Sequence, residues 1–173
     1  MDGKREIKKA YESILDNDFE QAIRSFEQAI EMEPDNAEYH YKLSITYARS
    51  GRLPSALTHA RKACDLEPAH DTYRFHHLHL QAVEMVQQAE KLAETGGSRR
   101  LRLAEKLLQA AVRKDPLCLE TYLLLSAIYA EQGRYPQAAE AVQEVLKLSP
   151  QHEAALQHIE QYKVQFQPYM NIP

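Results

Sequence analysis

Prolines close four blocks of this sequence, at Glu33-Pro34, Glu67-Pro68, Asp115-Pro116 and Ser149-Pro150, spaced 34, 48 and 34 residues apart. Twelve and five residues before each proline stand Ala22 and Ala29, Ala56 and Ala63, Ala104 and Ala111, and Ala138 and Val145. Eight before stand Phe26, Ala60, Leu108 and Val142. Small residues at fixed places let two helices approach closely, and the residue between them fills the gap. Ala37–Pro68 shows the unit whole, as two helix-period blocks hinged on Ser50-Gly51-Arg52. His40, Leu43, Ser44 and Tyr47 fall at i, i+3, i+4 and i+7 of the first block, and Ala56, Ala60 and Ala63 share one face of the second. A hairpin this small cannot bury its apolar stripe alone, so it requires neighbours of the same kind.

This pattern resembles the tetratricopeptide repeat, an antiparallel helix pair of 34 residues. The resemblance rests on two complete units. Ala37–Pro68 carries Leu43-Ser44, Tyr47 and Gly51-Arg52-Leu53-Pro54-Ser55-Ala56; Leu119–Pro150 carries Tyr122, Leu125-Ser126, Tyr129 and Gly133-Arg134-Tyr135-Pro136-Gln137-Ala138. Ser44 and Ser126 stand where the family usually has glycine, and His40 where it favours Trp. The resemblance implies an all-α, tetratricopeptide-type α-solenoid of stacked antiparallel helix pairs, with one elongated pair and a C-terminal capping helix. The expected organisation is a single domain over 1–165, with units of about 3–36, 37–70, 71–118 and 119–152 and a capping helix at 152–165. An extended tail is expected over 166–173, where two prolines interrupt an apolar run.

Two units depart from the template. The first helix, Arg5–Leu15, is read with one residue deleted in the Asp16-Asn17-Asp18 turn, so that Ile7, Ala10, Tyr11 and Ile14 face inward. The undeleted register would bury Glu6 and Lys9, a costly arrangement. The third unit is 14 residues too long. From Asp71 the positions Phe75, Leu78, Ala82, Met85, Ala89 and Leu92 step by three and four, predicting one helix to about Ala93. Thr95-Gly96-Gly97 should end it, with Ser98 capping a return helix through Val112.

Glycine is scarce at 5 residues and the net charge is −4. No phosphate-cradling loop is present, and bulk charge gives no reason to expect nucleic acid. Near the start no apolar segment has the length a signal peptide needs, and no run approaches the ~18 apolar residues of a membrane span. Cys64 and Cys118 form no CxxC, so reduced thiols are expected. These features predict a cytoplasmic, non-catalytic protein with no cofactor and no membrane association. His152-Glu153-Ala154-Ala155-Leu156 lacks the second histidine of a zinc-protease helix.

By resemblance, the first helix of each pair lines a concave groove that takes a protein or peptide partner. The candidate groove residues are Lys8 and Lys9, flanked by Arg5 and Glu12; Glu38, Tyr41, Lys42, Ile45 and Arg49; Phe75, His76 and His79, after Thr72; and Leu123, Leu124 and Ala127, between Glu120 and Glu131. Leu123 and Leu124 are either groove or extra packing. The clamp by which some members of the family hold acidic chaperone termini is absent: Lys42 replaces its Asn, and Thr72 and His76 replace its Lys and Arg. A second reading is a self-associating scaffold, a homo-oligomer formed through Met85, Ala89 and Leu92 or through the tail. A third is a metal-responsive regulator using His76 and His79, which are i,i+3 on one face.

Overall fold

In the computed structural model, residues 3–170 are described, with side chains to 165. All regular structure among them is helical: α1 (Gly3–Leu15), α2 (Phe19–Met32), α3 (Ala37–Arg49), α4 (Leu53–Leu66), α5 (Asp71–Glu94), α6 (Ser98–Lys114), α7 (Leu119–Glu131), α8 (Tyr135–Leu148) and α9 (Glu153–Met170). Local chemistry explains several helix starts. Asp18 and Asn36 cap α2 and α3 by accepting from the backbone N–H groups of Gln21 and Tyr39, at 2.9 and 3.3 Å. Pro54 and Pro136 occupy the first turns of α4 and α8, where a missing N–H costs nothing.

Where the repeat spacing suggests one domain over 1–165, the chain divides into two compact units, Met1–Leu80 and Gln81–Pro173. Each is built by the same device. In the first, Ala22, Phe26 and Ala29 of α2 and Ala56, Ala60 and Ala63 of α4 are all buried, as are Leu43 and Ser44 of α3. In the second, Ala104, Leu108 and Ala111 of α6 and Ala138, Val142 and Val145 of α8 have no exposed surface. Each alanine lets a neighbouring helix close to within side-chain contact of the larger residue beside it.

The structure corrects four expectations. Asn17 has φ 59°, matching Gly51 at φ 76°, thirty-four positions later. No residue is therefore deleted in the first unit, and Glu6 and Ala10 take the places of His40 and Ser44. Glu6 is buried, and Lys9 makes the burial tolerable by donating to both its carboxylate oxygens, at 2.7 and 3.0 Å. Tyr11 is not core: 41% of its surface is exposed.

Second, α5 runs as one helix, but its buried positions are Tyr73, Leu80, Ala82, Val86 and Ala89. Phe75 is left outside because Tyr73, packed with Ala37 and Ala63, provides the contact in the first unit. Third, Ser98 begins α6 instead of capping it; Gly97, at φ 88°, is the cap and makes no side-chain bond. Fourth, α9 continues through Met170, so residues 166–170 are helical and not extended. No glycine interrupts Glu153–Met170, and Pro168 removes a single backbone donor near the helix end. Residues 171–173 of the expected tail lie outside the described residues.

Candidate functional site

In the first unit α3 carries Glu38, Tyr41, Lys42, Ile45 and Arg49, with Tyr11 of α1 and His76 of α5 beside them. Lys42 is half-buried between two tyrosines, its Nζ 5.9 Å from the Tyr11 ring centroid and 5.8 Å from that of Tyr41. Among the described residues neither it nor Arg49 has a carboxylate partner. Hollows open on either side. One of about 310 Å³ is lined by Tyr11, Ile14, Lys42, Ile45 and Arg49 among others. The other, about 280 Å³, is lined by Lys4, Ile7, Tyr11, Glu38 and Lys42 among others. Tyr11 and Lys42 stand in both walls.

An aromatic ladder supports this face from α5. His70 stacks on Tyr73 at 3.8 Å, Tyr73 tilts against Tyr41 at 4.9 Å, and Tyr41 meets His76 edge-on at 5.2 Å. Ser44 ties three helices together. Its hydroxyl donates to the Ala56 carbonyl at 2.8 Å, so its oxygen accepts from His76 Nε2–H at 2.9 Å. Burial, reinforced by the charges of His79 and His77, lowers the His76 pKa to about 4, so the ring is neutral at pH 7.

Phe75 is 61% exposed and carries the Arg74 guanidinium 5.4 Å from its ring. Glu38, Arg49 and His79 are exposed, and Tyr41 and Ile45 half-buried. Lys8 is exposed beside Glu12 at 3.8 Å, while Lys9 is engaged with Glu6. Lys4, Ile7 and Tyr11, missed in the sequence, occupy the places that the shifted register gave to Arg5, Lys8 and Glu12. The signal that would have found them is Asn17, which stands in for the turn glycine.

A second polar cluster lies in the same unit. His40 Nε2–H donates to the Pro34 carbonyl at 2.9 Å, so its bare Nδ1 accepts from His59 Nδ1–H at 3.0 Å. His59 stacks on His40 and on Tyr47, whose hydroxyl donates to Glu27 at 2.6 Å. Burial first, then the His40 charge, lowers the His59 pKa.

In the second unit, Leu123 packs against the core around Val142 and Val145, and Leu124 against the core around Leu108 and Leu125. Packing is therefore the main use of both; Ala127 is exposed. Ala89 is fully buried, with Met85 and Leu92 packed beside it against α6 residues such as Leu101 and Leu108. The stripe read as a self-association surface is thus occupied by this protein's own return helix. Among the described residues no group of three His, Cys, Asp or Glu side chains is placed to hold a metal, and His76 Nε2 is engaged with Ser44. Among them, too, no helix is long and apolar enough to cross a membrane.

A family model described as tetratricopeptide repeat matches residues 16–71 and 96–153, about two thirds of the sequence. The chain belongs to the tetratricopeptide repeat family, and its fold is that of a protein–protein interaction module. Over 114 residues, 66% of this chain, it is 32% identical to human protein O-mannosyl-transferase TMTC1, and this covers 11% of that protein. Over 47 residues it is 45% identical to the mouse protein of the same name, covering 27% of this chain and 5% of that one. The chain thus spans about a tenth or less of these relatives. Among solved structures, MamA from Desulfovibrio magneticus RS-1 is similar with a TM-score of 0.59 at 21% identity, covering 94% of this chain and 84% of that one. A tetratricopeptide repeat protein from Parabacteroides merdae has a TM-score of 0.56 at 18% identity, covering 95% and 61%. At these identities the likeness concerns the fold.

Proposed function

We propose that this protein is a non-catalytic adaptor that holds a peptide segment of a partner across the α1–α3–α5 face of the first unit. One observation carries the reading: Lys42 is a half-buried cation between two aromatic rings, with no carboxylate partner among the described residues and an open hollow on each side. Such a cation gains most from an acidic group brought to it, because partial burial strengthens the pairing and the rings fix the ammonium in place. Arg49 extends the positive charge, and Ile45, Tyr11 and Phe75 offer apolar contact for the side chains flanking an acid. Peptide recognition of this kind combines a few charged anchors with aromatic area.

Site-specific photocrosslinking tests the placement. A crosslinker at Ile45 should capture partner peptide, and one at Lys62, on the second helix of the pair, should not. Equal capture at both positions would remove the assignment.

A further inference from the structure

The repeat supplies its own template for a second binding site. In the first unit His59 fills the space beside α3, with its ring on Tyr47 and His40 at centroid distances of 5.6 and 5.2 Å. Eighty-two residues later the same places hold Ala141, Tyr129 and Tyr122, while Gln109 replaces Glu27. Alanine cannot reach the tyrosines. The result is a hollow of about 460 Å³ between α6, α7 and α8, lined by Gln109, Tyr122, Leu125, Tyr129, Glu140 and Ala141 among others. That volume admits a ring together with the chain it hangs from.

We infer that this hollow is a docking site for a histidine side chain of a partner polypeptide. The occupant is argued from the filled copy, where an imidazole stacks beside the tyrosine at 26° to its plane and donates Nδ1–H to the neighbour at position 40. In the second unit the neighbour is Tyr122. Its hydroxyl hydrogen is directed to the Pro116 carbonyl at 3.2 Å, which leaves the oxygen to accept an imidazole N–H. Gln109, whose amide reaches the Tyr129 hydroxyl at 3.5 Å, keeps a carbonyl oxygen for a second one. At the rim Glu144 is paired with Lys147, while Glu140 and Arg113 are both exposed and make no ion pair among the described residues, so opposite charges flank the opening and it admits the neutral and the protonated ring alike. An isolated phenyl ring would fill the space but leave these acceptors without donors. The site uses none of the residues of the proposed peptide face, so either can fail without the other.

The test is an amide chemical-shift titration of the full chain with imidazole, with p-cresol and guanidinium chloride as comparison probes. Imidazole is expected to shift Tyr122, Tyr129 and Ala141 with millimolar affinity, as suits a ligand of only about five heavy atoms. Ala141→His should supply the missing ring internally and weaken imidazole binding at least about tenfold; Ala141→Leu, which fills the same space without polar atoms, is the companion if the histidine variant folds poorly. No shift at these residues overturns the proposal. So does p-cresol or guanidinium binding as tightly as imidazole, or unchanged imidazole binding in a folded filled variant.

Discussion

Acid should destabilise the first unit through His76, and the sign follows from its surroundings. The ring is half-buried, faces Tyr41 and Ser44 from α3, shares its helix face with His79 and has His77 next to it in the chain. Its pKa falls from 6.5 to about 4 on folding, so the folded state favours the neutral ring. The contribution to stability is complete above pH 6.5 and is lost as the pH falls towards 4. Taken at face value the shift is worth about 3 kcal/mol. Because part of the ring remains in contact with water, about 1–2 kcal/mol is the working figure. His76→Gln keeps a donor for Ser44 but does not titrate. Hydrogen-exchange protection factors at α3 and α4, each corrected for intrinsic exchange at its own pH, should fall between pH 7 and pH 4.5 by about five- to thirtyfold more in the parent than in this variant. Equal pH dependence in the two proteins would refute the argument.

Other consequences are open to simpler measurement. Phe26→Ala empties a site that is 1% exposed and should cost about 3–5 kcal/mol in denaturant unfolding. Gly133→Ala, at φ 72° with open space around it, should cost about 1–2 kcal/mol of backbone strain, whereas Asn17→Gly should change the melting temperature little. Lys9→Ala leaves the buried Glu6 carboxylate unpartnered and should cost about 1–3 kcal/mol, largely recovered by adding Glu6→Gln.

The helix pairs were legible because prolines, turn glycines and small residues recur at fixed spacing, and each has a local physical meaning. Ala56, Ala60 and Ala63 are buried as their positions require, and so are Ala138, Val142 and Val145. The first helix is not legible in this way, because a buried Glu6 looks too costly until its partner is known. Charge at a core position depends on whether a cation three residues on can turn back to it, as Lys9 does. That single register error displaced Tyr11 from the candidate face, where it forms half of the Lys42 setting. In α5 the heptad was real, yet periodicity could not say that α6 would cover Met85 and Leu92 while Tyr73 displaced Phe75. The hollow at Ala141 was beyond single-position reading altogether. It emerges only when His59 and Ala141 are compared as copies of one place.

The central claim is that the face around Lys42 receives the partner. Titration calorimetry with a partner peptide, identified by panning a peptide library on the full chain, compares the parent with Lys42→Glu/Arg49→Glu. Reversal of two cations at the binding face should weaken affinity at least about tenfold, with helicity and melting temperature unchanged. An affinity that survives both reversals would contradict the assignment.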